Sequence, residues 1–175
     1  MYIIKRNAKA RTHPRTRRNK KEIIANGVNL DGIYRMYSVK GDKIEQVGEE
    51  HNQVMDYCHY KVARAFLGDW LGYYMSIEWL ALGDDNTPIA GTELILVNEI
   101  FRTKYVTRSS PAKVASGTFY ITDTEFSGDI EEMGIFGGNA ASSTADTGGL
   151  VSRVLWSYTK STSEEIVVEY DLTIS

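Results

Sequence analysis

The sequence contains a single cysteine, Cys58, and this scarcity excludes an internal disulfide. A reducing compartment is therefore compatible with the fold, and 175 residues suffice for one domain with a sizeable core. No apolar run approaches the ~20 residues that a membrane-spanning helix needs. The first residues, Met-Tyr-Ile-Ile-Lys-Arg, lack the apolar core of a signal peptide. We expect a soluble protein that is made in the cytoplasm.

Residues that hold metals are also scarce. His51 and His59 flank Cys58, but no fourth ligand follows at the spacing that zinc sites use. Cys58 occupies an apolar position of a predicted helix, so we expect a buried, inert thiol. The run Asp84-Asp85-Asn86 lacks the alternating acidic residues and distal glutamate of a calcium loop. The sequence predicts no metal site.

Sequence motifs of catalysis are missing as well. There is no nucleophile elbow, phosphate-binding glycine loop or dinucleotide fingerprint. The adjacent Glu131 and Glu132 point to opposite faces of a strand, so they cannot act as one acid/base pair. Gly137 and Gly138 have no basic neighbour and indicate the end of a strand. We predict that the protein is not an enzyme and needs no cofactor.

Acidic residues are absent from the first 21 positions, which instead hold nine of the 20 basic residues. These are Lys5, Arg6, Lys9, Arg11, Arg15, Arg17, Arg18, Lys20 and Lys21. Residues 22–175 hold 11 basic and all 23 acidic residues, a formal charge of −12. Residues 7–21 have almost no apolar side chain, so this segment should be extended or disordered when isolated. A basic arm, residues 1–30, precedes an acidic domain, residues 31–175.

The arm needs contacts from outside to become ordered, because like charges repel and little apolar surface offsets the ordering entropy. Its partner could be a neighbouring subunit, the acidic domain of another copy, or nucleic acid. Nucleic-acid modules usually add aromatic residues or a groove-reading helix to their charge, and residues 7–21 contain no aromatic residue. We therefore favour an assembly arm over nucleic-acid contact or a solvated tail.

Alternating apolar residues dominate the acidic domain and predict strands near 73–82, 99–108, 113–125, 150–158 and 165–174. A hairpin is predicted over 33–47, with its turn at 40–42, and a short strand over 131–138. The last two strands are predicted to pair with each other and to bury one face. Small polar residues predict exposed loops at 83–91 and 139–149. The side chains expected to be largely buried are Trp79, Trp156, Val168 and Tyr170.

One helix is predicted near 50–68, within a pattern that runs from 49 to 69. Its apolar positions Val54, Cys58, Val62 and Ala65 with Phe66 recur every three to four residues. Seven or eight strands and this helix predict a mainly β fold. We expect an antiparallel β-sandwich (jelly-roll or Ig-like), with the helix over one end or edge and an extended basic N-terminal arm.

Several short motifs occur in a defined order between residues 50 and 175. Ala81-Leu82-Gly83 is followed by a polar loop with Pro88, by Thr92-Glu93-Leu94 and by Glu99-Ile100-Phe101-Arg102. Then come Glu132-Met133-Gly134-Ile135-Phe136, Gly149-Leu150-Val151-Ser152-Arg153-Val154 and Lys160, while His51-Asn52-Gln53-Val54 opens the predicted helix. In this order the motifs resemble a module common in bacteriophage tail and tail-fibre proteins. The first 48 residues depart from that module.

The resemblance implies a structural unit of phage virions without catalytic residues. We therefore expect a virion protein, made in the host cytoplasm, that belongs to the tail, fibre attachment, baseplate or neck. It would oligomerise and dock on other virion proteins through its arm, without a membrane. The alternative is a receptor- or glycan-binding module of a tail fibre that uses the loops at 83–91 and 139–149, or a capsid decoration protein. Neither loop contains an aromatic residue, which favours the first reading.

Overall fold

The computed structural model describes residues 28–68 and 75–175. This part contains nine strands and one helix: β1 Leu30–Lys40, β2 Lys43–His51, β3 Gln53–Val54, α1 Asp56–Phe66, β4 Trp79–Gly83, β5 Glu99–Ser109, β6 Val114–Ile121, β7 Gly128–Gly137, β8 Gly149–Lys160 and β9 Glu165–Ile174. The nine basic residues of the predicted arm lie outside the described residues, as do positions 73 and 74 of one predicted strand.

All nine strands belong to one antiparallel sheet, in the order β2-β1-β9-β6-β5-β4-β7-β8-β3. The sheet is nearly closed, because the backbone N–H of Asn52, beside β3, donates to the carbonyl oxygen of Gly32 in β1 at 3.1 Å. A Cβ atom at Gly32 would lie 2.1 Å from Oδ1 of Asn52, so a larger residue there would displace the Asn52 side chain. The predicted mainly β, antiparallel fold with a single helix is confirmed.

The main core fills the inside of the curled sheet. In β9 the residues alternate between buried and half-buried, and Val168 and Tyr170 are fully buried as the period of two predicted. The ring of Tyr170 packs against the ring of Tyr34 from β1, with the ring centroids 4.8 Å apart and the planes tilted by 53°. Trp156 of β8 is also buried, whereas Trp79 is only half-buried and packs against a second cluster on the outer face of the sheet.

This second cluster explains why β4, β7 and β8 are buried on both faces. Its members are Met55, Ala81, Leu96, Phe136 and Leu150. The prediction that β8 buries only one face is wrong for its first half, where every residue from Gly149 to Val154 is buried. Alternation disappears there because the connections between strands fold back over the outer face.

The predicted pairing of the last two strands is also wrong. The neighbours of β8 are β7 and β3, while the neighbours of β9 are β1 and β6. The turn at 161–164 therefore crosses from one side of the core to the other rather than closing a hairpin. By contrast, the hairpin of β1 and β2 is confirmed, with Lys40 opposite Lys43 and a bulge after Met36.

The helix is shorter than the pattern indicated. α1 begins at Asp56, because Glu49 to His51 continue β2 and Val54 belongs to β3. Val54 and Cys58 are buried as predicted, but Phe66 at the last turn is 77% exposed. The spacing of three to four positions between apolar residues therefore did not show whether Val54 belongs to a short strand or to the first turn of the helix.

We predict that Leu82→Ala, in the main core, lowers the free energy of unfolding by about 2–5 kcal/mol, because it leaves a cavity. Leu94→Ala is the matched control, since Leu94 is 65% exposed and its truncation should stay within about 0.5 kcal/mol. Urea denaturation of both variants measures the difference. Equal losses would contradict the assignment of Leu82 to the core.

Candidate functional site

The outer face of β4, β5, β7 and β8 is covered by two long connections. We call residues 84–98, between β4 and β5, the first loop, and residues 138–148, between β7 and β8, the second loop. Each loop is held on the sheet by one arginine with a glutamate partner. These two ionic clusters contain most of the charged residues of the motifs that resemble the phage module.

Arg153 of β8 holds the first loop. Its Nε donates to Oε2 of Glu132 at 2.6 Å, and both side chains are fully buried. Its Nη1 donates to Oε1 of Glu93 at 3.2 Å, and its Nη2 donates to the carbonyl oxygen of Thr87 at 3.0 Å. A buried guanidinium is stable only when its donors are satisfied, and here every nitrogen has an acceptor.

Glu132 extends the same cluster towards the end of the first loop. Its Oε1 accepts the backbone N–H groups of Val97 at 2.9 Å and Asn98 at 3.2 Å. A Cβ atom at Gly83 would lie 2.5 Å from that oxygen, so only glycine leaves space for the carboxylate. Leu96 then inserts into the second cluster beside Phe136. The loop is therefore anchored by ionic contacts and by apolar packing.

Arg102 of β5 holds the second loop. Its Nε and Nη2 donate to the two oxygens of Glu99 at 2.7 Å each, a bidentate pair with almost no solvent exposure. Its Nη1 donates to the carbonyl oxygens of Ser142 at 3.1 Å and Thr147 at 2.8 Å. The guanidinium carbon lies 4.3 Å from the centroid of the Phe136 ring, a cation–π contact.

A bulge places Glu99 beside Arg102. In a regular strand, residues three apart point to opposite faces. Leu82 is opposite Phe101 but Gly83 is opposite Glu99, so Ile100 is an extra residue in β5. The extra residue turns Glu99 to the outer face, where Arg102 already lies. The E-x-x-R spacing of the sequence is thus the signature of a bulge with an ion pair across it.

A third buried cluster fixes the turn between β8 and β9. Nζ of Lys160 donates to the carbonyl oxygens of Phe126 at 2.8 Å and Ser161 at 3.3 Å. Glu164 accepts the hydroxyls of Ser38 and Tyr158 and the N–H of Ser161. Burial acts to raise the pKa of Glu164, but these hydrogen bonds and the nearby Lys40 outweigh it and lower the pKa to about 2.

The remaining residues considered for chemistry are dispersed. Cys58 is buried, and burial raises the pKa of its thiol to about 12, so the thiolate is scarce at neutral pH. His51 is exposed with Nδ1 3.3 Å from Oδ1 of Asp31, and His59 is exposed on α1. Within residues 28–68 and 75–175, no three His, Cys, Asp or Glu side chains are grouped to hold a metal ion.

Four carboxylates line an open cleft beside the first loop. The cleft measures about 550 Å³, and its acidic residues are Asp84, Asp85, Asp129 and Glu131. Three of them already accept hydrogen bonds: Asp84 from Asn98, Asp85 from the Thr87 N–H and Asp129 from Thr159. This surface is acidic and solvated, and it contains Asp84-Asp85-Asn86, the run with the wrong spacing for a calcium loop.

Sequence reasoning missed the role of the charged motif residues. Glu132 was expected to point to one face of a strand, opposite to Glu131, but the alternation of apolar residues did not indicate an ion-pair partner for it. The signal that could have found one is a charged residue within an apolar stretch of a strand, namely Glu132 in β7 and Arg153 in β8. Charged side chains are almost never buried unless they are paired, so one of each sign in two core strands indicates an internal ion pair.

We predict that Arg153→Met lowers the free energy of unfolding by about 3–5 kcal/mol, because it leaves the Glu132 carboxylate buried without its cation. The matched control is Arg35→Met, whose half-exposed ion pairs with Glu49 and Asp171 should contribute about 1 kcal/mol or less. The double variant Glu132→Gln/Arg153→Met should recover part of the loss. Urea denaturation and hydrogen exchange at the Val97 and Asn98 amides measure both effects. Slow exchange at these amides in Arg153→Met would contradict the anchoring role.

We also predict an acid-sensitive contribution from Glu164. Its folded pKa of about 2 is lower than the value of about 4.3 for an unfolded chain, so its stabilisation is complete above that pH and disappears as pH falls towards about 2. Glu164→Gln should therefore flatten the loss of stability in this window, and Ser38→Ala, which removes one donor, should give an intermediate slope. Denaturation midpoints at several pH values test this, and an unchanged slope in Glu164→Gln would contradict it.

No helix within the described residues is long and apolar enough to cross a membrane. Comparison of the chain with family models, with curated proteins and with solved structures finds no match.

Proposed function

We propose that this chain is a structural protein of a bacteriophage virion, a component of the tail, fibre attachment, baseplate or neck. The observation that supports the proposal is that the charged residues of the motifs make buried ionic contacts and hydrogen bonds. Six charged residues of the motifs that resemble the phage module accept or donate hydrogen bonds inside the three buried clusters. They are Glu93, Glu99, Arg102, Glu132, Arg153 and Lys160.

This arrangement supports a scaffold rather than a reactive site. The donors of Arg153 and Arg102 are bound to carboxylates and backbone carbonyls, so these cations have no open position for a substrate. Their effect is to hold two long loops rigidly on the sheet. A rigid, loop-covered domain suits a protein that is repeated in a particle and must keep one shape. We accordingly propose a non-enzymatic role that needs no cofactor.

We infer that the nearly closed sheet is best classed as a β-sandwich. Strand β5 pairs with β4 on one side of the core and with β6 on the other, so a single long strand passes from one layer to the next. The inner residues of β1, β9 and β6 then face those of β4, β7 and β8 across the main core. Strands that switch layers through bulges are common at the corners of such folds.

Exposed apolar residues on the first loop support protein partners. Leu94, Ile95 and Val97 are 65%, 44% and 48% exposed, and they lie within four consecutive positions. The anchored residue Leu96 keeps them on the surface, because its neighbours point away from the cluster. Contiguous exposed apolar residues are typical of surfaces that other proteins cover. We propose that neighbouring virion proteins or further copies cover this surface in the particle.

The receptor-binding alternative finds less support in these loops. Carbonyl groups at Thr87, Ser142 and Thr147 already accept hydrogen bonds from the two arginines, which leaves each with less capacity to bind a glycan. The exposed positions of the second loop, 139–140 and 143–146, carry only small or short polar side chains. A capsid decoration protein would share the scaffold and differ in its place in the particle.

The basic arm is the proposed means of assembly. Its nine cations, from Lys5 to Lys21, precede residues 22–175, whose formal charge is −12, and a neighbouring copy therefore offers an acidic counter-surface. Exposed ion pairs contribute only about 0–1 kcal/mol each, so attachment requires many of them or backbone pairing as well. Contact of the same arm with packaged DNA is the less favoured possibility.

We predict that deletion of residues 1–21 gives a folded protein that no longer joins its assembly. Mass photometry of the full chain should detect oligomers at low salt that dissociate as salt rises, since the Debye length falls from about 30 Å at 0.01 M to about 8 Å at 0.15 M. The deleted form should remain monomeric in both conditions. A variant with the nine basic residues replaced by glutamine keeps the length and is the matched control for charge. Assembly that survives the deletion would contradict the role of the arm.

Immunogold labelling of phage particles produced from the genome that encodes the chain tests the location. We expect labels at one defined place on the particle. Particles without label, from preparations in which the chain is abundant in the lysate, would overturn the virion proposal.

A further inference from the structure

Strand β2 has a long free edge within the described residues. There β2 pairs only with β1, while the opposite end of the sheet is the two-residue β3, which the Asn52–Gly32 hydrogen bond joins to β1. All nine residues of β2 are exposed or half-buried. The outer side of a free strand presents unpaired N–H and C=O groups, which accept a further strand unless side chains prevent it.

The charges of β2 select the kind of strand that can pair with it. The edge carries Glu45, Glu49 and Glu50 against one lysine, Lys43, and no ion-pair partner of Glu50 is found within the described residues. Two copies of β2 side by side would bring glutamates together, and like charges opposite each other destabilise a strand pair. A basic strand would instead be attracted. Exposed Ile44 adds an apolar contact at the same edge.

The start of the chain has the composition that this edge requires. Tyr2, Ile3 and Ile4 are an aromatic and two β-branched residues with high strand propensity, and Lys5 and Arg6 follow at once. The 27 residues before Val28 can span up to about 90 Å, which is enough to reach an adjacent molecule.

We propose that residues 2–6 of one copy add a strand to the free edge of β2 in a second copy. Backbone hydrogen bonds would supply the pairing, and Lys5 and Arg6, with the basic residues that follow, would lie near Glu45, Glu49 and Glu50. This inference rests on the proposed assembly function and deepens it, because it names the surface that receives the arm.

Disulfide trapping between two full-length chains tests the contact. One chain carries Gln46→Cys, an exposed position on β2, and the other carries a single Cys in place of Tyr2, Ile3 or Ile4. The native Cys58 is buried and should not react. Because successive residues of a strand point to opposite faces, the yield of mixed dimer should alternate along positions 2, 3 and 4. Thr107→Cys, exposed on β5 and several strands away from β2, replaces Gln46→Cys as the control and should give little mixed dimer.

Charge reversal tests the selectivity of the edge. Glu45→Lys/Glu50→Lys should lower the yield of mixed dimer about tenfold, because attraction becomes repulsion over distances shorter than the screening length. Asp84→Lys/Asp129→Lys places the same charge change in the acidic cleft and should leave the yield unchanged. If the cleft variant abolishes trapping and the β2 variant does not, the arm binds the cleft and the proposal is wrong.

The remaining outcomes separate this inference from the assembly function itself. An intrachain disulfide in the double variant Ile3→Cys/Gln46→Cys, with no mixed dimer, would show that the arm pairs with its own chain and would overturn the proposal. Uniform yields at positions 2, 3 and 4 would overturn strand addition in the same way. Oligomers that persist in mass photometry despite either result would leave the assembly function intact. A chain that is monomeric throughout, without mixed dimers, would refute both.

Discussion

The buried ion pair between Arg153 and Glu132 is the interaction on which the outer half of the structure depends. Removal of two charges from water costs several kcal/mol per ion unless their remaining hydrogen-bonding groups are satisfied. Here those groups are satisfied by the first loop, through Thr87, Glu93 and the amides of Val97 and Asn98. The loop and the ion pair are therefore mutually required, because neither has a stable arrangement without the other.

The same logic links the ionic clusters to the apolar core. Leu96 packs in the second cluster directly before the two amides that are bound to Glu132, and the ring of Phe136, a member of that cluster, contacts the guanidinium of Arg102. Polar and apolar contacts alternate across one face of the sheet. Such a mixed layer specifies a unique position for each loop, which a purely apolar layer of similar area would define less strictly.

The sequence predicted those parts of the fold that follow local periodicity. The alternation of β9 and the turn of the first hairpin are local patterns, and the structure agrees with them. The crossing from β8 to β9 was not predictable, since a turn of similar composition can close a hairpin or bridge two layers. The partners of Arg153 and Arg102 were equally hidden, because Glu132 and Ser142 lie 21 and 40 positions away in the chain. Pairing at that separation depends on topology, which residue spacing does not encode.

The closure of the sheet at Gly32 and Asn52 has a geometric consequence for any assembly that grows by strand addition. Within the described residues it leaves the outer side of β2 unpaired, and this edge differs in sequence from the N-terminal segment that would pair with it. A contact between two different surfaces is heterologous, so it does not terminate at a symmetric pair. Repetition of such a contact produces a closed ring when the rotation between neighbours divides a full turn, and an open helical filament when it does not.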